Sequence, residues 1–319
     1  MDITQTIIQE LGSLLKLLNK SDYDKVFLID STGFVLKYWF SMPPVETKNF
    51  ESISAFLGFS SFVIGLLSKY KPIYISFAFD ESLGTCFRNK IYPDYKKSRE
   101  SAPEELKAQL TLCREFLDVL GLDNNASNTY EADDILYTVA KNVRESGFNS
   151  IILTNDKDLY QLVHPGDIWW DYKSKIFYYD GLLDFLGFVP QNLSDFLGLM
   201  GDSVDNIPGA PGLGEKTAMT LMSRYKDLEN LMINIDSITD HVGMKFKRFI
   251  KIIKENKKII YLSKKLATLE YVDDLNNDLS SLKRETIDFK KLEAFLIKTG
   301  MKEGQRNSWL RDIKKLVVL

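Results

Sequence analysis

The sequence predicts an α/β fold, a mixed sheet flanked by helices, followed by a smaller helical region. Three observations predict it. Short apolar runs at 25–29, 72–79 and 150–153 alternate with longer stretches whose apolar residues recur at helical spacing. The first two runs lead straight into an acid and the third into Thr154-Asn155-Asp156-Lys157-Asp158, and strand signals cease from Pro190 onward. At 319 residues the chain can bury one large or two modest cores. The expected division is an N-terminal extension over 1–24, an α/β region over 25–189 and a helical region over 190–319.

Ile3, Ile7, Leu11, Leu14, Leu15 and Leu18 mark an amphipathic helix within residues 1–20, without the basic start and cleavage site of a signal peptide. Lys25 to Ile29 reads as a buried strand ending at Asp30, with Ser31, Thr32 and Gly33 forming a turn. A helix follows over 51–70, then a strand over 72–79 ending at Asp80. Pro103 to Leu120 is a helix with Ser101 as cap and Glu104 and Glu105 in its first turn. After a short loop, Tyr130-Glu131-Ala132-Asp133-Asp134 opens a helix that runs to about Gly147. Ser150 to Leu153 is a strand leading into Asp156 and Asp158, and Asp167 to Tyr179 holds two short strands around a turn. No stretch is long and apolar enough to span a bilayer.

The carboxylates carry the chemistry. Asp30, Asp80, Glu131, Asp133, Asp134, Asp156, Asp158, Asp202 and Asp205 come from separate segments and mostly stand at element ends. Acids in a first helical turn also complement the helix dipole, so no single segment decides the matter. Converging, they would repel one another, and hard divalent cations such as Mg2+ or Mn2+ are the natural compensation. Zn2+ is poorly supported, because His164 and His241 stand alone. Two such ions about 4 Å apart suit phosphodiester hydrolysis, one activating water and one stabilising the leaving oxygen.

A net charge of -3 conceals two basic clusters. Residues 81–102 interleave Arg88, Lys90, Lys96, Lys97 and Arg99 with Phe87, Tyr92 and Tyr95, a composition suited to phosphates and unpaired bases. Lys96 and Arg99 would stabilise charge at a scissile phosphate. The second cluster includes Lys245, Lys247, Arg248 and Lys251. Upstream of it, Gly209, Gly212 and Gly214 precede Lys216 and Thr217, but Glu215 stands where a P-loop needs Gly directly before Lys. Such a turn still suits one backbone phosphate of a duplex, read without regard to sequence. Cys86 and Cys113 are too few for a disulfide framework, which favours a reducing compartment.

Together the motifs FRNKIYPDYKKSR, YEADDILYTVA, ILTNDKDLYQL and GDSVDNIPGAPGLGEKTA resemble the 5′-nuclease family over roughly residues 25 to 312. The likeness is greatest to the 5′-to-3′ exonuclease domain of bacterial DNA polymerase I, with flap endonucleases as relatives. The resemblance implies a PIN-like mixed sheet, a helical arch at 81–102 that passes a 5′ single strand, and Arg88, Lys96 and Arg99 as phosphate contacts. It implies one metal site from Asp30, Asp80, Glu131, Asp133 and Asp134, and a second from Asp156, Asp158, Asp202 and Asp205. Residues 206–218 look like the family's helix-hairpin-helix element, which holds duplex DNA and often a K+ ion.

The activity so implied is structure-selective 5′-to-3′ exonuclease or 5′-flap endonuclease cleavage in primer removal and repair. The substrate would be DNA with a 5′ end or flap, RNA-primed in some cases, cut by a monomer in the cytoplasm or nucleoid. The chain stops where a polymerase would begin, so a stand-alone nuclease or an isolated nuclease fragment is expected. Ser31 stands where the family usually has Gly, and Leu36-Lys37 where it has a Tyr-Arg pair. Lys37, taken as a catalytic cation, keeps the charge but loses the bidentate fork. Two other readings fit parts of the chain: a DNA-junction-binding protein without turnover, and a PIN-type ribonuclease.

Overall fold

In a computed structural model, residues 24–45, 47, 52–275 and 278–316 are described, so the amphipathic stretch at 1–20 lies outside them. Among the described residues, six strands form one sheet: β1 (Lys25–Asp30), β2 (Tyr74–Asp80), β3 (Asp123–Ser127), β4 (Asn149–Leu153), β5 (Ile168–Trp170) and β6 (Ile176–Tyr178). Their order is β3-β2-β1-β4-β5-β6, parallel except for β6. Strands buried on both faces read as continuous apolar runs, which is why β1 and β2 were legible.

The two faces of β1 show the period-2 rule. Val26 and Leu28 pack with Ile135, Leu136 and Val139 of helix α5 (Ala132–Glu145). Phe27 and Ile29 face the other way, into a core with Phe59 and Val63 of α2 (Ser54–Tyr70) and Phe116 and Leu117 of α4 (Glu104–Val119). The sheet is therefore the middle of three layers.

Several expectations change. Ser31 to Gly33 form no turn: α1 (Ser31–Ser41) begins directly after β1. Ser101 does not cap α4; Pro103 occupies that position without a side-chain hydrogen bond. The loop expected after Leu120 contains β3, which pairs with β2. Within 81–102 the one regular helix is α3 (Phe87–Ile91), and the rest is turns.

After β6 come α6 (Tyr179–Leu186), α7 (Leu193–Met200), α8 (Glu215–Tyr225), α9 (Leu228–Ile233), α10 (Ile238–Val242), α11 (Lys247–Glu255) and α12 (Lys257–Ala267). Within the described residues the region from 190 onward does not stay apart throughout. Lys283 bridges Tyr74 at the start of β2, and Ile75 donates its N–H to the Leu282 carbonyl. The final helices α13 (Phe289–Lys298) and α14 (Glu303–Lys314) pack on the α/β half, with Phe295 and Trp309 against Phe56. Among the described residues, no helix is long and apolar enough to cross a membrane.

Candidate metal and nucleic-acid site

The chain runs outward from β1 through β2 to β3, then crosses to β4 on the opposite side of β1. In open α/β sheets the crevice at such a reversal, outside the carboxyl ends of the strands, is where ligands bind. Asp30 ends β1 and Thr154 follows β4, and the Thr154 hydroxyl donates to Asp30 Oδ2 at 2.8 Å. Asp80, ending β2, accepts the Ala132 N–H on Oδ1 at 2.8 Å, and its own N–H reaches Thr32 Oγ1 at 2.8 Å. The Asp156 N–H returns to Thr154 Oγ1 at 2.9 Å, and the Asp158 N–H to Asp156 Oδ1 at 2.8 Å. Thr32 and Thr154 went unnoticed in the sequence; their signal was only a hydroxyl residue beside an acid at a strand end.

Two carboxylate groups result. In one, burial and then Asp80 and Asp156 push Asp30 up to about 7. Asp133 is driven well above the usual carboxylate range by burial and then by Asp156, Asp30 and Asp80. In the other, single oxygens of Asp158, Asp202 and Asp205 lie within 4.8 Å of one another. Burial, then Asp156, Asp202 and Asp205, pushes Asp158 up to about 7. Acids that burial and one another's charge hold back from ionising form the donor set that a hard divalent cation fits. Asp156 faces both groups, rather than belonging to the second alone.

Two expected ligands stand back from this set. Asp134 is fully buried, and its two oxygens receive Arg88 at 2.6 and 2.8 Å as well as the N–H groups of Glu131 and Glu270. With every acceptor direction engaged it is a structural carboxylate, not a metal ligand. Arg88 is only 2% exposed and also donates to the carbonyls of Leu266 and Thr268 and to Glu131, so it does not reach a phosphate. Glu131 is engaged by Lys96 on Oε1 and by Arg88 and Tyr95 on Oε2. Burial alone would raise its pKa, but Lys96 and Arg88 hold it below the usual range.

Lys96 and Arg99 do face the acids. Lys96 pairs with Glu131 and lies 3.4 Å from Asp205, and Arg99 pairs with Asp205. Lys96 has φ +52, a left-handed conformation costly for a residue with a Cβ. It is pinned there by its own N–H on the Asp205 carbonyl at 3.0 Å, while the Asn206 side chain holds the Asp94 carbonyl at 2.6 Å. Lys37 is not brought in: its charged neighbours are Lys173 and Asp171, and its ammonium lies over the Tyr38 ring.

Of the three aromatics of 81–102 only Tyr95 is buried, while Phe87 and Tyr92 are half-buried. Tyr95 is 4% exposed and donates to Glu131 Oε2, Phe87 packs on Tyr130, and Tyr92 packs against the core. In the glycine-rich turn, Gly209 is buried with φ +61, and a Cβ there would collide with the backbone of Met200 and Gly201. Its N–H goes to Ser263 Oγ, so Gly209 shapes the turn and does not hold phosphate. Gly212, Gly214 and Lys216 are exposed at the start of α8, with Thr217 half-buried. Lys245, Lys247 and Arg248 are exposed around the start of α11.

The family description "5′-3′ exonuclease, N-terminal resolvase-like domain" matches residues 25–182, and "5′-3′ exonuclease, C-terminal SAM fold" matches 188–290. A 5′-3′ exonuclease of Aquifex aeolicus (strain VF5) is 32% identical over 293 residues, covering 91% of this chain and 96% of that one. DNA polymerase I of Bacillus caldotenax is 31% identical over 281 residues, covering 86% of this chain but 31% of the polymerase. The chain thus spans about a third of that relative.

Among solved structures, T5 5′-exonuclease with divalent metal ions (zinc) bound gives a TM-score of 0.57 at 16% identity, over 92% of this chain and 99% of that one. The catalytic core of Rad2 in complex with a DNA substrate gives 0.60 at 16% identity, over 93% and 94%. At such identities these two likenesses speak for the fold. With both halves of the chain matched by the family, and a relative of nearly equal length at 32% identity, the chain belongs to the 5′-3′ exonuclease family.

Proposed function

We propose that this nuclease cuts DNA at 5′ ends and 5′ flaps, selecting substrates by shape, with Mg2+ or Mn2+ as its metal. The observation that carries the reading is the pair of facing carboxylate groups at the sheet reversal, with Lys96 and Arg99 reaching the same acids from the 81–102 segment. Asp30, Asp80, Asp133 and Asp156 would hold one ion, and Asp158, Asp202 and Asp205 the other. Bound divalent ions supply an activated water and charge stabilisation for an in-line displacement at phosphorus.

The protein's own groups do the rest. Thr154 and the Ala132 N–H fix the carboxylates of Asp30 and Asp80, so that their free oxygens keep one direction. Lys96 and Arg99, already concentrated beside the acids, are placed to meet the non-bridging oxygens of a phosphate entering between them. Gly212, Gly214 and Lys216, with Lys245, Lys247 and Arg248, are exposed for a duplex backbone, and a K+ ion on carbonyls of the 209–217 turn would add to its grip. DNA replication and repair in a reducing, DNA-containing compartment, as a monomer and on RNA-primed as well as DNA 5′ ends, completes the proposal.

A 5′-flap duplex incubated with the protein should be cleaved in Mg2+ or Mn2+ and left intact in EDTA. Cleavage that persists in EDTA, or attack on single-stranded RNA in preference to the flap, would overturn the assignment. In the same assay Lys96→Ala should slow single-turnover cleavage by about a hundredfold while weakening duplex binding only a few-fold. Equal losses would recast the 81–102 segment as an anchor.

A further inference from the structure

The second carboxylate group, with Asp30, Asp156, Arg99 and Lys157, lines a cavity of about 680 Å3 that also has a large apolar lining. That apolar lining includes the buried Phe196 and Leu197 and, with them, Met200, Val204, Met219 and Phe185. Phe185 is 58% exposed.

Its ring is the outer member of an aromatic column. It lies 5.4 Å from Phe177, which lies 5.6 Å from Tyr160 and 5.9 Å from Trp169, and those two are 5.0 Å apart. The inner rings are fixed to the acid-bearing loop. Trp169 is 2% exposed and its indole N–H donates to the Asp156 carbonyl at 3.1 Å, while Tyr160 sits in the same single turn as Asp158. The column therefore grows out of the loop that carries two carboxylates, and its one exposed ring opens on the cavity those carboxylates line.

An apolar wall has nothing to offer a phosphate. Within reach of the acids, the part of a nucleic acid that matches it is the flat face of a base. We infer that Phe185, with Met219 beside it, receives the base of a nucleotide flanking the scissile phosphate, rotated out of its stack; this rests on the nuclease reading above. Unstacking a base is costly, and stacking on a pre-positioned aromatic ring returns part of that cost without sequence preference. Phe185 is thus a positioning residue: it holds the nucleotide whose phosphate lies among the carboxylates.

The test compares single-turnover cleavage of a 5′-flap duplex in Mg2+, intact or with an abasic site at either nucleotide flanking the cut. The full chain, Phe185→Ala and Phe185→Trp are used; the exposure of Phe185 lets both variants fold, which thermal melting verifies. One of the two abasic sites should slow the unmutated protein about tenfold. Phe185→Ala should slow the intact substrate by a similar factor and show no added loss on the abasic one, and Phe185→Trp should keep both the rate and the abasic sensitivity. A Phe185→Ala protein that cuts the intact flap at full rate, or that loses a further tenfold on the abasic flap, overturns this inference alone. Failure of the unmutated protein to cut the intact flap overturns the nuclease reading and this inference with it.

Discussion

Asp158→Asn is expected to slow metal-dependent cleavage by about a thousandfold and, in EDTA near pH 8, to raise the melting temperature by roughly 2 °C or more. Both effects follow from the same crowding. Burial, then Asp156, Asp202 and Asp205, pushes the Asp158 carboxyl from 3.8 up to about 7. The unfolded chain ionises near the lower value and the folded one near the higher. The folded state therefore holds the extra proton between them, and its stability falls as pH rises from about 4 to about 7. Asn carries no charge and escapes that loss, so the gain in melting temperature should be largest near pH 8 and shrink toward pH 5. Adding Mg2+ should raise the melting temperature of the unmutated protein more than that of the variant. Melting scans at the two pH values, run beside a cleavage assay, check this; a variant that melts lower at pH 8 in EDTA, or cuts at the normal rate, removes Asp158 from the metal group.

The same chemical change at Asp134 should do the opposite. Asp134 is fully buried against Arg88, itself 2% exposed. Neutralising it leaves the buried guanidinium with Glu131, which Lys96 and Tyr95 also engage, as its remaining carboxylate, and weakening a buried pair in this way costs about 3 kcal/mol, or on the order of 10 °C in melting temperature. Metal affinity, measured by calorimetric titration of Mn2+ into the protein still folded at low temperature, should stay within a few-fold of the unmutated value. A large loss of affinity with unchanged melting would return Asp134 to the metal shell. The two substitutions separate carboxylates that no spacing rule tells apart.

The acids at strand ends were legible because a parallel sheet gives continuous apolar runs, and a residue just past such a run lies at the carboxyl edge of the sheet. Asp30, Asp80 and Asp156 needed nothing more. Asp133 and Asp134 show where that logic stops: adjacent helical residues point about 100° apart, and which one meets the other acids depends on where the sheet lies. Arg88 looked like its neighbours Lys96 and Arg99, since charge alone does not reveal that Leu266 and Thr268 return to cover it. β3, Asp-Asn-Asn-Ala-Ser, lacks any strand signal; it is extended because β2 offers it an open edge. Phe185 was missed for the opposite reason, since its helix is amphipathic and nothing local marks one apolar residue as left outside.

Arg88 also bears on how the chain comes apart. Its guanidinium joins a carboxylate near the start of α5 to carbonyls of Leu266 and Thr268, and Gln161 makes a similar bond to Ala267. One continuous core runs from Val26 through Phe196 and Leu221 to Leu282. The two regions that the family descriptions separate at residues 182 and 188 are therefore modules of ancestry and not of cooperativity. A cut between them would unroof a buried cation and divide a core, so the two halves share one folding equilibrium. Damage to either is felt by both.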